Sequence, residues 1–218
     1  MRLIIFDMDG TLIDSARFLV GTIADTFREA GEDVPDDRTI RSISGLTLAE
    51  ALATLAPQAD DVRVSRLVDT YRRLYRASAG KEREPLFADA LDALDRLRMR
   101  DDTILAIATG KGHRGATALL DAHGLAERFH SVQTPDHNRG KPDPQMIETA
   151  MARAGAQAAE TVMIGDTVHD MRMARAAGVA AIGVAWGYHL VEELEEAGAD
   201  IVIHRFADLD SAIDRLLG

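Results

Sequence analysis

Residues 3–10 of the sequence read LIIFDMDG. The four consecutive apolar residues have no helical alternation, which is typical of a strand that is covered on both faces of a parallel sheet. The run stops at Asp7, and Gly10 then indicates a tight turn. The sequence therefore predicts a buried N-terminal strand with carboxylates just beyond its carboxyl end.

Similar apolar runs occur at residues 103–108, 161–164 and 179–184. Helical patterns lie between these runs, with apolar stripes in residues 91–97 and 147–154. A chain that alternates strands and helices in this way is typical of an α/β fold with a doubly wound parallel sheet.

One segment interrupts this alternation, because it has helical patterns but no convincing strand. An apolar stripe runs through residues 16–30 and ends at Gly31, and another runs through residues 64–74 and ends near Gly80. We predict that residues 15–85 form a small helical cap inserted into the sheet domain. The alternative is a helical extension that packs rigidly on the sheet.

The predicted division is therefore residues 1–14 and 86–218 for the α/β core and residues 15–85 for the cap. The chain leaves the core after the first strand and returns near Pro85. Two neighbouring crossings would join the domains, so we expect a hinge there.

The 218 residues include 25 Lys and Arg and 36 Asp and Glu, and the formal net charge is −11. Phosphate backbones and anionic membranes repel such a chain, so we expect neither nucleic acid nor a membrane as partner.

The lack of cysteine excludes disulfides, thiolate zinc sites and cysteine nucleophiles. With no signal-peptide pattern and no apolar run of about 18 residues, the sequence predicts a cytoplasmic protein. We expect it to be a monomer or a homodimer.

Polar side chains follow the predicted strands, at the edge where ligands of open parallel sheets bind. The loop before the helix of residues 147–154 adds a lysine to this edge. The candidate site residues are Asp7, Asp9, Thr109, Gly110, Lys111, Lys141, Asp166 and Asp170.

Carboxylates in this cluster would repel one another unless a cation lay between them. Asp7 and Asp166 together therefore predict a hard, oxygen-preferring metal, and Mg²⁺ is the natural candidate. Lys141 and the Thr109 hydroxyl, with backbone N–H groups after Asp7, would help to hold a phosphate dianion. A phosphate group is therefore the expected ligand at this edge.

The motif DMDGTLIDS at residues 7–15, then Thr109, Lys141 and the motif GDTVHD at residues 165–170, resemble in order the four motifs of the haloacid dehalogenase superfamily. The resemblance covers nearly the whole chain. The helical insert resembles the small-cap subgroup, and the combination of DGTLIDS, TGK and GKPDP looks most like phosphoglycolate phosphatases and their near relatives.

The resemblance implies a two-step hydrolysis in which Asp7 attacks phosphorus and forms an aspartyl phosphate, which water then cleaves. It implies that Asp9 acts as general acid and then as general base, and that Thr109 and Lys141 hold the transferring oxygens. The implied Mg²⁺ ligands are Asp7, Asp9 through its carbonyl, Asp166 and Asp170.

Three functions follow from these motifs. The first is a Mg²⁺-dependent phosphatase acting on a small soluble phosphate monoester, with phosphoglycolate as a leading candidate. The alternatives are a sugar phosphate mutase of the same superfamily and a non-enzymatic phosphate-binding regulatory module, which would not need Asp9. Substrate contacts are expected from Gly110, from Lys111 and from Arg41 of the cap, because an arginine matches a carboxylate.

Overall fold

A parallel sheet of six strands lies at the centre of the protein. The structure is a computed structural model, and it describes residues 1–78 and 84–218. The strands are β1 (Arg2–Phe6), β2 (Thr103–Ala108), β3 (Ser131–Gln133), β4 (Thr161–Gly165), β5 (Ala180–Val184) and β6 (Ile201–Ile203). Their order is β3-β2-β1-β4-β5-β6. The predicted doubly wound sheet is confirmed, and the strand order reverses direction between β1 and β4.

The central strand β1 is apolar at successive positions because both of its faces are covered. Leu3 and Ile5 belong to the hydrophobic cluster on one face of the sheet, whereas Ile4 and Phe6 belong to the cluster on the other face. All four side chains are fully buried. Because neighbouring side chains of a strand point to opposite faces, a doubly covered strand needs an apolar residue at each of these positions.

The inserted segment is helical. Its helices are α1 (Ala16–Ala30), α2 (Asp37–Ser42), α3 (Leu48–Leu55) and α4 (Asp61–Ser78). They share a hydrophobic cluster of their own, which includes Ile23, Phe27 and Leu67. As predicted, α1 ends at Gly31, which adopts the left-handed conformation with φ of 72°. The predicted end of the last apolar stripe, near Gly80, lies outside the described residues.

Two backbone segments connect the inserted helices to the core, and they lie side by side. The N–H of Phe87 donates to the carbonyl of Leu12 over 3.0 Å, and the N–H of Asp14 donates to the carbonyl of Pro85 over 2.8 Å. The two crossings are thus held together by backbone hydrogen bonds. The exact domain limits stay a prediction.

The remaining helices belong to the core. They are α5 (Ala90–Arg98), α6 (His113–Ala122), α7 (Gln145–Ala154), α8 (Val168–Ala177), α9 (Val191–Glu196) and α10 (Leu209–Leu217). The predicted helical stripes are confirmed as α5 and α7. The sequence does not predict β3 and β6, because three residues are too few to establish a pattern. Within residues 1–78 and 84–218, none of the helices has the length and apolar composition of a membrane span.

Candidate active site

The predicted site residues converge at the carboxyl edge of the sheet. Asp7 directly follows β1, and its N–H donates to the carbonyl of Ile164 in β4 over 2.9 Å. Thr109 directly follows β2, and Asp166 directly follows β4. Since β1 and β4 flank the point where the strand order reverses, these side chains meet in the crevice that such sheets use for ligands.

Lys141 joins two of the carboxylates. Its Nζ lies 2.7 Å from Oδ1 of Asp7 and 2.6 Å from Oδ1 of Asp170, and it is only 1% exposed. Burial by itself disfavours the charged amine, but the carboxylates of Asp170 and Asp7 raise the pKa of Lys141 above its ordinary value. The lysine therefore stays an ammonium ion between two carboxylates.

Asp166 is oriented by hydrogen bonds to both of its oxygens. The hydroxyl of Thr11 donates to Oδ1 over 2.9 Å, and the N–H of Tyr188 donates to Oδ2 over 2.9 Å. Gly10 approaches the same carboxylate so closely that a Cβ there would lie 2.2 Å from Oδ2 of Asp166. The turn after β1 thus needs glycine to let Asp166 pack beside it.

Asp170 is held at the start of α8. Its Oδ2 accepts hydrogen bonds from the N–H of Thr167 over 3.1 Å and from the Thr167 hydroxyl over 2.6 Å. Thr167 in turn caps the helix by accepting from the N–H of Asp170. One oxygen of Asp170 therefore serves the helix cap, and the other faces Lys141.

The three buried carboxylates carry more negative charge than Lys141 offsets. Oxygen atoms of Asp7, Asp166 and Asp170 lie within 4.8 Å of one another. Burial raises the pKa of Asp7 from 3.8 to about 7, against the opposing effect of Lys141. Burial and the neighbouring Asp7 and Asp170 raise the pKa of Asp166 well above its usual range. A divalent cation with oxygen ligands fits this cluster, because it would stabilise the ionised carboxylates.

Asp9 and Lys111 form a second ion pair, closer to the cap. Oδ2 of Asp9 lies 3.2 Å from Nζ of Lys111. Nζ of Lys111 also lies 3.4 Å from the hydroxyl of Tyr75 and 5.0 Å from the centre of its ring. Burial opposes the charge on Lys111, but Asp9 and the other nearby acidic groups raise its pKa well above the ordinary value. Oδ1 of Asp9 has no hydrogen-bond partner in the described residues.

The loop after β2 meets the cap. The Thr109 hydroxyl accepts a hydrogen bond from the N–H of Lys111 over 3.2 Å. A Cβ at Gly110 would lie 2.7 Å from the carbonyl oxygens of both Gly45 and Leu46 in the cap. The cap backbone thus lies directly against Gly110, and only a residue without a side chain permits this approach.

A cavity of about 750 Å³ lies between the cap and the core. Asp7, Asp9, Thr109 and Lys111 line its core side, and the rings of Phe18, Tyr71 and Tyr75 line its cap side. Most of the predicted site residues therefore surround one cavity or the carboxylate cluster beside it.

Arg41 lies in α2, and it is not among the described residues that line the cavity. The arginines that line it are Arg72, Arg76 and Arg114. They are exposed residues, unlike the half-buried Lys111 and the buried Lys141. A substrate contact by Arg41 stays a prediction.

Several residues around the site are not predicted from the sequence. Thr167 has a local signal, because a threonine three residues before an acidic residue is a helix-capping pattern. Tyr188 and Glu84 have no such signal, since their site contacts are with Asp166 and Tyr75, which lie 22 and 9 positions away and outside any one helix or strand pattern. Their roles become visible only in the folded protein.

A family model described as haloacid dehalogenase-like hydrolase matches residues 4–184. A protein of Dickeya dadantii named "Probable phosphatase IndB" is 38% identical, with 99% of this chain and 94% of that protein aligned. A phosphoglycolate phosphatase of Caulobacter vibrioides is 36% identical, with 98% of this chain and 91% of that protein aligned. The solved structure of a hydrolase from Pseudomonas syringae superposes with a TM-score of 0.88 at 27% identity and covers 100% of both chains.

The fold, the site and the comparisons define the protein as a hydrolase with an α/β core and an inserted helical segment. The chain belongs to the haloacid dehalogenase-like hydrolase family. The predicted family resemblance and the prediction of an enzyme of the phosphatase type are confirmed.

Proposed function

We propose that the protein is a Mg²⁺-dependent phosphatase that hydrolyses a small soluble phosphate monoester through an aspartyl-phosphate intermediate. The observation that carries this proposal is the ion pair of Asp7 with the buried Lys141, beside two further buried carboxylates. A nucleophilic carboxylate that must approach a phosphate dianion needs such a fixed cation next to it.

The metal would be held by side-chain oxygens of Asp7, Asp166 and Asp170, together with the carbonyl of Asp9. When bound, Mg²⁺ supplies positive charge that offsets the carboxylates and the phosphate oxygens. Thr11 and Tyr188 keep Asp166 oriented for this role. Such outer hydrogen bonds generally fix the position of metal ligands.

In the first step, a carboxylate oxygen of Asp7 attacks phosphorus, and the ester P–O bond breaks. Lys141 holds Oδ1 of Asp7, so Oδ2 is the oxygen available for attack. Asp9, in its protonated form, donates a proton to the departing alkoxide, which leaves as an alcohol. The product of this step is the phosphorylated Asp7.

In the second step, Asp9 accepts a proton from water, and the water oxygen attacks the phosphorus of the aspartyl phosphate. The Asp7–phosphorus bond breaks, inorganic phosphate is released, and Asp9 is protonated again. Thr109 and Lys141 hold the transferring oxygens in both steps. Contact of the cap with Gly110 restricts the access of bulk water during the reaction.

Phosphoglycolate is a candidate ester, since a relative is named for it. The test is phosphate release from phosphoglycolate, hexose phosphates, nucleoside monophosphates and pyrophosphate, with and without Mg²⁺. We expect Mg²⁺-dependent release, and we expect Asp7→Asn to abolish it while Asp69→Asn, a change on the exposed face of α4, does not. Activity retained in Asp7→Asn would refute the mechanism. Isomerisation of a hexose 1-phosphate without net phosphate release would instead identify a mutase.

A further inference from the structure

We propose that the leaving group of the substrate is a hydroxyl-bearing alcohol, such as a polyol or sugar, and that Glu84 determines this specificity by accepting a hydrogen bond from one of its hydroxyls. This inference rests on the proposed phosphatase function and specifies its substrate class.

Glu84 lines the cavity and carries a buried acceptor without a partner among the residues that the structure describes. The residue is 6% exposed, and it lies at the point where the chain returns from the cap to the core. Its carbonyl oxygen lies 2.8 Å from Nε2 of His123, which fixes its backbone. The hydroxyl of Tyr75 donates to Oε1 over 3.2 Å, but Oε2 is buried without a hydrogen-bond partner in the described residues. Buried polar atoms are normally paired, so Oε2 is suited to a donor on the ligand.

Glu84 is connected to Asp9, the proposed general acid, by a continuous row of polar side chains. Lys111 lies 3.2 Å from Asp9 and 3.4 Å from the hydroxyl of Tyr75, and Tyr75 bonds to Glu84. The leaving oxygen must lie near Asp9 to receive its proton, so the rest of the leaving group extends along this row. A chain or ring with several hydroxyls can both donate to and accept from such a row.

The cap side of the cavity offers aromatic surfaces to the same leaving group. The rings of Phe18 and Tyr75 are 5.2 Å apart and perpendicular, and those of Tyr71 and Tyr75 are 6.0 Å apart and nearly parallel. A polyol or sugar combines hydroxyls with C–H groups that pack on aromatic rings. The cavity of about 750 Å³ accommodates such a group, whereas a two-carbon acid fills only a small part of it.

The distribution of charge favours hydroxyls over a carboxylate. A carboxylate on the leaving group would meet the acidic side chain of Glu84, and the arginines that line the cavity are exposed rather than buried beside it. Burial raises the pKa of Glu84 above its ordinary value, against the opposing effect of Lys111. Lys111 itself is already paired with Asp9. The buried part of the cavity therefore has a free acceptor but no cation without a carboxylate partner in the described residues.

The first experiment compares two esters that differ only in their hydroxyls, glucitol 6-phosphate and n-hexyl phosphate, with phosphoglycolate as a third substrate. We expect kcat/KM of the wild-type enzyme to be at least about tenfold higher for glucitol 6-phosphate than for either of the others. This measurement needs no variant. Equal values for the two six-carbon esters, or a preference for phosphoglycolate, would overturn the inference.

The second experiment assigns the preference to Glu84. We expect Glu84→Leu, which removes the acceptor, to lower the ratio of kcat/KM for glucitol 6-phosphate over hexyl phosphate by about tenfold or more. Glu84→Gln retains a carbonyl acceptor and should keep a higher ratio than the leucine variant. Asp69→Asn, which removes an exposed carboxylate from α4, should leave the ratio unchanged.

The two proposals fail in different ways. An unchanged ratio in a folded Glu84→Leu variant, with the wild type active, would overturn the role of Glu84 and leave the phosphatase proposal intact. If Glu84→Leu does not show a cooperative thermal transition, the variant is not folded. The wild-type comparison of the two six-carbon esters then tests the preference for a hydroxyl-bearing leaving group. Absence of Mg²⁺-dependent phosphate release from every ester, hexyl phosphate included, would refute the proposed function itself.

Discussion

Nζ of Lys141 lies 2.7 Å from Oδ1 of Asp7, and both side chains are almost completely removed from solvent. The same ammonium group lies 2.6 Å from Asp170, so one cation serves two carboxylates. A buried charge without its partner is costly, and the stability of this cluster therefore depends on every member being present. The proposed catalytic centre is thus also a structural element of the core.

Lys141→Met should lower both activity and stability. The substitution leaves Asp7 and Asp170 buried without their cation, so we expect a loss of about 3–5 kcal/mol in the free energy of unfolding by urea. Phosphate release should fall at least about a hundredfold. Arg205→Met, which breaks the exposed pair with Asp208, should cost no more than about 1 kcal/mol. Equal destabilisation by the two variants would contradict the assigned role of Lys141.

Binding of Mg²⁺ should depend on pH. Burial raises the pKa of Asp7 from 3.8 to about 7, so the metal-free folded protein binds this proton more tightly than the unfolded chain does. The contribution of Asp7 to stability is then fully present below about pH 4 and is lost as the pH rises through about 7. Mg²⁺ competes with this proton and should bind about tenfold or more tighter at pH 8 than at pH 5.5.

The measurement is the melting temperature with and without Mg²⁺ at the two pH values. A larger increase at pH 8 is expected, because a ligand that binds only the folded state stabilises it by RT ln(1 + [L]/Kd), which grows as Kd falls. Asp166→Asn is the control, since it removes a proposed metal ligand and should reduce the increase at both pH values. An equal increase at pH 5.5 and pH 8 would be inconsistent with metal binding at the cluster.

Gly110→Val should interfere with closure of the cap. The added side chain would meet the carbonyl oxygens of Gly45 and Leu46, where a Cβ alone would be 2.7 Å away. We expect kcat/KM to fall at least about tenfold because the cavity cannot close properly. The melting temperature should change little if the cap swings away from the clash.

The matched control for this variant is Gly21→Ala. A Cβ at Gly21, inside α1, would meet nothing within 4 Å. We expect this change to leave kcat/KM unaltered and to stabilise the protein by about 0.5–1 kcal/mol, since alanine favours helix. Full activity of Gly110→Val would show that the contact with the cap is dispensable.

Thr167→Val should weaken metal binding more than it weakens the fold. The change removes the hydroxyl that caps α8 and donates to Oδ2 of Asp170 over 2.6 Å. We expect a loss of about 1 kcal/mol in stability and about a tenfold loss of Mg²⁺ affinity by calorimetry. Thr47→Val, which removes the corresponding cap of α3, should cost similar stability without the loss of affinity. A similar loss of affinity in both variants would mean that Asp170 needs no orientation by Thr167.

Local patterns in the sequence were sufficient to predict much of the α/β core. Leu3 to Phe6 are apolar at every position because β1 is covered on both faces, and this pattern is visible without a structure. The carboxyl ends of parallel strands lie at the same edge of a sheet. Asp7, Thr109 and Asp166 each follow an apolar run, so their proximity could be predicted from the sequence. The short edge strands β3 and β6 lack such a pattern, and they were not predicted.

The sequence by itself thus determined the α/β class, the helical insert and most of the residues around the carboxylate cluster. Only the tertiary structure decided which side chains form the rest of the cavity. The arginines on its wall come from α4 and α6 and do not include Arg41, and the row from Asp9 through Lys111 and Tyr75 ends at Glu84. The physical reason is that these contacts depend on how the cap packs against the sheet. Periodic patterns of apolar residues indicate single helices and strands, and they do not show how separate elements pack against each other.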